Sequence, residues 1–264
     1  MPTDWDPDQY RRFDTERSAP FWDLVDLVEV DGERGIGYMV DLGCGDGDLT
    51  AAAADRLGAK HLLALDSSPA MIGRARRHAA PDRVYEAGDI ASWTRRGDVD
   101  LVFANASLQW VPDHRSVLQK WSAALAPGGQ LAVQVPTNGD HASHLVANEV
   151  AARPPFLDAF DGDPPPDPAG TNVLRPEEYA DLLHHLGFVR QHVRLQVYAH
   201  VLTSSADVVE WVRGTNLTRF FKRLPPELHE PFVEAYRTAL LERIGLHEPY
   251  LYAFKRILMW ARLD

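Results

Sequence analysis

Apolar residues fall in short runs separated by polar, glycine-containing turns, and the runs alternate between two periods. GYMVDL (37–42), HLLALD (61–66), RVYEAGD (83–89), DLVFAN (100–105) and QLAVQVP (130–136) have strand length and strand composition. Between them, LTAAAADRL (49–57), PAMIGRARRHA (69–79) and SVLQKWSAALAP (116–127) place apolar residues at helical spacing, the last stopped by Gly128–Gly129. Strands alternating with helices predict a parallel sheet with right-handed crossovers over 36–136.

Beyond Pro136 the alternation stops. Residues 153–170 hold six prolines, a composition that excludes regular helix and predicts a connection. FVRQHVRLQVYAHVL (188–202) and YLYAFKRILMWARL (250–263) read as two further extended segments, expected as antiparallel partners at the sheet edge. Residues 205–245 read as two helical pieces, expected to cap the carboxyl edge of the strands. The expected fold is α/β, a doubly wound, mostly parallel seven-stranded sheet with a helical cap. It divides into an N-terminal helical lid (1–30), a cofactor-binding core (31–203 with 246–264, including the proline-rich connection 153–170) and a cap over the substrate site (204–245).

Bulk properties narrow the function. A hydrophobic content of 45% with 25% charged residues suits an ordinary globular chain, and no apolar run reaches the length of a membrane span. The start, MPTDWDPDQY, is acidic where a secretory signal is basic, so a cytoplasmic protein is expected. Its single cysteine, Cys44, excludes an internal disulfide and a cysteine-based metal site. The net charge of −11 disfavours nucleic acid as a partner. That charge is uneven: residues 1–170 carry a balance of −12 and residues 171–264 one of +1, so an anion meets least repulsion in the last third.

The most informative segment is Val40-Asp41-Leu42-Gly43-Cys44-Gly45-Asp46-Gly47, a glycine turn directly after the first strand. Open α/β sheets bind ligands beyond the carboxyl ends of their strands, so this turn predicts a nucleotide-like cofactor. The dinucleotide fingerprint G-x-G-x-x-G is not met, because Asp48 stands where the third glycine belongs. Asp41, Asp46 and Asp48 would also repel a pyrophosphate, whereas a zwitterionic amino acid with an adjacent sulfonium tolerates them. Taken singly, Asp66-Ser67-Ser68-Pro69 also reads as a helix cap, and Asp89 as a turn residue.

In these residues the chain resembles the class I S-adenosylmethionine-dependent methyltransferases, with their Rossmann-like fold, whose first motif is an acidic residue, an apolar residue, then G-x-G-x-G. Asp41, Gly43, Gly45 and Gly47 match it. The resemblance implies that Asp66 holds the ribose hydroxyls, with Ser67 and Met71 just after it also in the cofactor site. It implies Asp89 and Ile90 at the adenine, Asn105 beside the methionine portion, and LAPGGQLAV (125–133) before the fifth strand. The implied cofactor is S-adenosyl-L-methionine, leaving S-adenosyl-L-homocysteine as product. Over the whole chain, WDPDQYRRFDTERSAPFWDLV (5–25), ANASLQWVPDH (104–114), EWVRGTNLTRFF (210–221) and FKRILMWAR (254–262) are similar to segments of the trans-aconitate 2-methyltransferases, which methylate a carboxylate of a small tricarboxylic acid.

An acceptor of that kind is already ionised at neutral pH and needs no general base, so no catalytic dyad is expected. Its non-reacting carboxylates call for cationic clamps, with Arg213 the first candidate. Arg219, Arg256 and Arg17 are further candidates, together with Tyr10, Trp5, Gln109, Trp110 and His141 as lining groups. His141 and His144 stand three apart, but a metal site lacks a third ligand and none is expected. Two alternatives stay open: a methyltransferase of another small acceptor (a malonyl carrier protein or a phenolic metabolite), and a non-catalytic S-adenosylmethionine sensor.

Overall fold

The computed structural model describes residues 14–30 and 35–264, the side chains of 14–17 excepted. The first half alternates as the pattern predicts: α1 (Asp14–Val25), β1 (Tyr38–Leu42), α2 (Asp48–Leu57), β2 (His61–Asp66), α3 (Pro69–Ala75), β3 (Arg83–Ala87), β4 (Val99–Asn105), α4 (His114–Ala123) and β5 (Leu125–Pro136). The second half continues with α5 (Ala142–Ala151), α6 (Phe156–Ala159), α7 (Pro168–Thr171), α8 (Pro176–His185), β6 (Arg190–Leu202), α9 (Asp207–Arg213), α10 (Thr218–Phe221), α11 (His229–Ile244) and β7 (Tyr250–Arg262).

Among the described residues one seven-stranded sheet forms, in the order β3-β2-β1-β4-β5-β7-β6. The first five strands pair in parallel, and β7 pairs antiparallel with β5. The two late extended segments therefore do lie at one edge. Three local readings shift. The helix expected over 116–127 ends at Ala123, and LAPGG joins β5 instead, with Leu125 already opposite Val99. The helix over 69–79 closes as a tighter turn at 76–78. The proline-rich connection admits two single helical turns, α6 and α7, which are too short to need the amide hydrogens that proline lacks.

The chain divides into two compact units, each built from separate stretches. Among the described residues, one comprises those within 18–136, 172–196 and 256–264; the other comprises those within 14–17, 137–171 and 197–255. In the sheet unit, Val40, Leu42, Val102, Trp121, Val133, Tyr179 and Met259 belong to a single apolar core. In the helical unit, Val146, Phe156, Phe160, Trp211, Phe220, Phe232, Tyr236 and Tyr252 form another. The helical stretch 204–245 thus shares its core with 142–160, which the sequence pattern groups with the cofactor-binding domain. Among the described residues no helix is long and apolar enough to cross a membrane.

Candidate functional site

In the sheet unit, the chain leaves β1 through the glycine turn. Gly43 and Cys44 donate their N–H groups to the Leu65 carbonyl, at 2.8 and 2.9 Å, which ties the turn to the tip of β2. Gly43 has φ 101°, and a Cβ there would stand 2.2 Å from Cβ of Ser107, whose hydroxyl donates to the Leu42 carbonyl at 2.5 Å. Gly45 also has positive φ, yet a Cβ there would meet nothing within 4 Å, so its exposed face is open to a ligand.

Asp41 lies beneath this turn, 2% exposed. Its Oδ2 accepts from the Thr50 hydroxyl at 2.5 Å, while Oδ1 has no partner among the described residues. Burial pushes its carboxyl up to about 7, opposed by the Thr50 hydrogen bond and reinforced by nearby Asp66. A raised folded-state pKa means that the native state keeps a proton the unfolded chain has released. Stability is therefore full below the ordinary carboxylate range and declines as pH rises through about 7. The whole effect is on the order of 4 kcal/mol. Asp41→Asn should accordingly flatten the fall in melting temperature between pH 5 and pH 8, as scanning calorimetry would show.

Asp66, at the tip of β2, accepts from the Gly45 N–H at 3.0 Å through Oδ2 and from the Ser68 N–H at 2.9 Å through Oδ1. One carboxylate thus fixes both the glycine turn and the start of α3, and each oxygen keeps a further lone pair. The cap of α3 is Ser68, not Ser67, which is exposed; Met71 is half-buried on the first turn. At the tip of β3, Asp89 is exposed and accepts from the Ala91 N–H at 3.0 Å, with Ile90 buried beside it. Asn105 ends β4, and its Oδ1 is buried without a partner among the described residues. These positions stand on consecutive strand tips, in the row β3-β2-β1-β4. A cleft among Glu29, Gly37, Lys60, Asp100, Gln130 and Arg262 opens at the amino ends of the strands instead, the end that open α/β sheets do not use for ligands.

The acceptor candidates are scattered. In the sheet unit, Gln109 is buried, Trp110 is 44% exposed, and Arg256 lies half-buried on β7 opposite Pro136. In the helical unit, Arg213 forms an ion pair with Glu230. Arg219 is 7% exposed and spends its guanidinium inside the fold, donating to Asn216 Oδ1 at 2.8 Å, to Asn148 Oδ1 and to the Pro165 carbonyl. Its pKa is lowered by burial to about 10, with neighbouring Asp167 opposing the shift. His141 caps α5, its Nδ1 accepting from the Ser143 N–H at 3.1 Å. Burial, then the charge of His144, lowers its pKa. His144 Nδ1 lies 2.6 Å from Oδ2 of Asp167. No group of three or more His, Cys, Asp or Glu that could hold a metal occurs among the described residues. Trp5, Tyr10 and the side chain of Arg17 lie outside the described residues.

Comparison with known proteins sets these features in a family. A methyltransferase-domain family model matches residues 39–129. The trans-aconitate 2-methyltransferase of Deinococcus radiodurans is 40% identical over 261 residues, 97% of either chain. That of Methylobacterium radiotolerans is 38% identical over 98% of either chain. The chain belongs to the trans-aconitate 2-methyltransferase family.

Solved structures resemble its fold at low identity. The YcgJ protein of Bacillus subtilis matches with a TM-score of 0.57 at 12% identity, over 92% of this chain and 97% of that one. The geranyl diphosphate C-methyltransferase of Streptomyces coelicolor matches with 0.54 at 16%, over 94% and 79%. The family's fold is thus the doubly wound one expected from the alternation of strands and helices.

Three residues of the sheet unit are missing from the sequence-predicted site. Thr50 and Ser107 carry no sequence signal of their own, and their importance is a matter of contact with Asp41 and Gly43. Gln134 does carry a signal, being a polar residue inside the apolar run QLAVQVP.

Proposed function

We propose that this chain transfers the methyl group of S-adenosylmethionine to a carboxylate of trans-aconitate, forming a methyl ester. The observation that carries the reading is the 36–40% identity, over nearly all of both chains, to relatives of that name. The tips of the sheet support the donor half. Unpaired Oδ1 atoms of Asp41 and Asn105 and the open face of Gly45 fit a zwitterionic amino acid with bare backbone around it. Bound there, S-adenosylmethionine supplies an electrophilic methyl group on a sulfonium.

The chain's own residues then position and screen. Gly45 lets backbone approach the methionine portion, beside Asp41 and Asn105, while Gly43 makes room for Ser107 and Gly47 for Ala75 and Tyr85. Asp66 accepts from the ribose hydroxyls with the lone pairs that Gly45 and Ser68 leave free. Asp89 accepts from the adenine amine, and buried Ile90 offers an apolar edge to the ring. No residue has to remove a proton, because the acceptor carboxylate is ionised at neutral pH. Attack by an anion on a sulfonium cancels opposite charges, so orientation and exclusion of water carry much of the rate. Arg213, already paired with Glu230, is a weaker clamp than its place in the sequence suggests.

The test is incubation of the protein with methyl-labelled S-adenosylmethionine and a panel of trans-aconitate, other polycarboxylates, phenols and malonyl carrier protein. Label should transfer to trans-aconitate and be released by mild base, as an ester requires. Base-stable label would replace the carboxyl reading. Donor binding without turnover on any acceptor would leave a sensor.

A further inference from the structure

Four side chains at the carboxyl tips of β1, β4 and β5 carry buried polar atoms with no partner among the described residues. They are Asp41 Oδ1, Asn105 Oδ1, Gln109 Oε1 and both amide atoms of Gln134. Folds rarely retain such atoms unless something outside the chain pairs them. Asp41 and Asn105 fall to the donor on the reading above; Gln134, 1% exposed, does not.

A second glutamine on the same strand gives the contrast. Gln130 lies four residues before Gln134 and so on the same face of β5. Its Oε1 accepts from the Glu29 N–H at 2.9 Å and from Trp260 Nε1 at 2.7 Å, and its Nε2 donates to the Glu29 carbonyl at 2.8 Å. Gln130 is fully used by the fold. No described residue pairs the side chain of Gln134, although leucine or methionine would fill the same space without stranding two polar atoms.

The backbone links Gln134 to Gln109 through Ala106. Ala106 donates its N–H to the Gln134 carbonyl at 3.0 Å, and its own carbonyl accepts from Gln109 Nε2 at 2.7 Å. Ala106 does so at φ 52°, a left-handed conformation that is costly for a residue with a Cβ and that tends to persist at functional sites. Gln134 is also in register with Asn105, one strand away.

Position along the row then selects the ligand. With base at β3, sugar at β2 and the methionine portion at β1 and β4, the next tip, about 4.8 Å further, is that of β5. On that reading the acceptor stands beyond the methionine portion, on the β5 side. We propose that Gln134, through its amide Nε2, binds the acceptor carboxylate that becomes methylated. In the step, a carboxylate oxygen forms the bond to the methyl carbon, the carbon–sulfur bond breaks, and its electron pair returns to sulfur. The negative and positive charges vanish together and no proton moves. A carboxamide suits this task because it donates from Nε2 without a charge. It orients the nucleophile but withdraws less electron density than a guanidinium would.

The inference rests on the proposed methylation of trans-aconitate, and its test separates the two. Gln134→Met keeps the length of the side chain and removes both unpaired atoms. The KM for trans-aconitate should rise at least about tenfold, the cost of one lost hydrogen bond to a charged group. The affinity for S-adenosylhomocysteine should stay within about twofold, and the melting temperature should rise by about 2–4 °C as the stranded atoms disappear. Gln134→Glu should lose more activity, since a second carboxylate there repels the acceptor. Gln134→Asn withdraws the amide by one methylene and should raise KM even if the methionine variant fails to fold. An unchanged KM in both neutral variants, or a larger loss of S-adenosylhomocysteine affinity than of acceptor use, overturns the assignment. Wild-type protein that binds S-adenosylhomocysteine but never methylates trans-aconitate overturns the reading beneath it, and this assignment with it.

Discussion

Asp66→Ala is expected to weaken binding of S-adenosylhomocysteine about 100-fold in titration calorimetry, equivalent to about 2.7 kcal/mol. Hydrogen bonds to a charged group contribute about 1.5–3 kcal/mol each, and the substitution removes the carboxylate proposed to accept from two ribose hydroxyls. It also releases the Gly45 and Ser68 N–H groups, which the carboxylate holds at 3.0 and 2.9 Å, so the glycine turn loses its tie to β2 from that side. Asp66→Asn keeps one acceptor oxygen and should fall between. Affinity equal to wild type in Asp66→Ala would mean that the sugar is held elsewhere.

Gly43→Ala should be the most damaging single methyl group in the sheet unit. Its Cβ would lie 2.2 Å from Cβ and 2.7 Å from Oγ of Ser107, and φ is 101°. Ser107 cannot withdraw cheaply, because its hydroxyl is bonded to the Leu42 carbonyl. Overpacking and backbone strain each cost about 1–3 kcal/mol, so a total of about 3–5 kcal/mol is expected. Thermal denaturation should show a melting temperature lower by roughly 10 °C. A second change, Ser107→Gly, should restore the packing share and leave the strain. Gly45→Ala forms the control: with open space around the new methyl group it should cost only about 1 kcal/mol in stability, yet obstruct the donor. A Gly43→Ala protein with an unaltered melting temperature would refute the close approach to Ser107.

The glycine turn and the strand ends proposed to hold the donor could be placed from sequence because their signals are local. A glycine turn, an aspartate at each of two strand ends and an asparagine at a third are fixed by their distance from an apolar run, and alternation of runs implies the parallel sheet on which they stand. The acceptor half lacks that property. Arg213 and Arg219 are equally plausible cations in EWVRGTNLTRFF; only packing shows that the first meets Glu230 and the second is consumed by Asn216, Asn148 and Pro165. His141 likewise turns out to cap α5. The domain boundaries resisted for a related reason: period reports what a segment forms, and says nothing of which distant segment shares its core. Leu125–Gly129 was misread as the end of a helix because a Gly-Gly pair marks both a helix stop and a bulged strand, which here shifts register between Val99 and Leu101.

The discontinuity of the helical unit bears on how relatives could be recombined. Phe156 meets Phe232 edge-on at 5.0 Å, and Phe160 lies 6.0 Å from Phe220, so each contact joins a residue before position 171 to one after position 197. A chimera that imports only one of the two stretches inherits half of an aromatic interlock and must pair it with a foreign half. Exchange of 137–171 together with 197–255 carries the interlock intact, which makes that pair of segments the natural cassette for shuffling between family members.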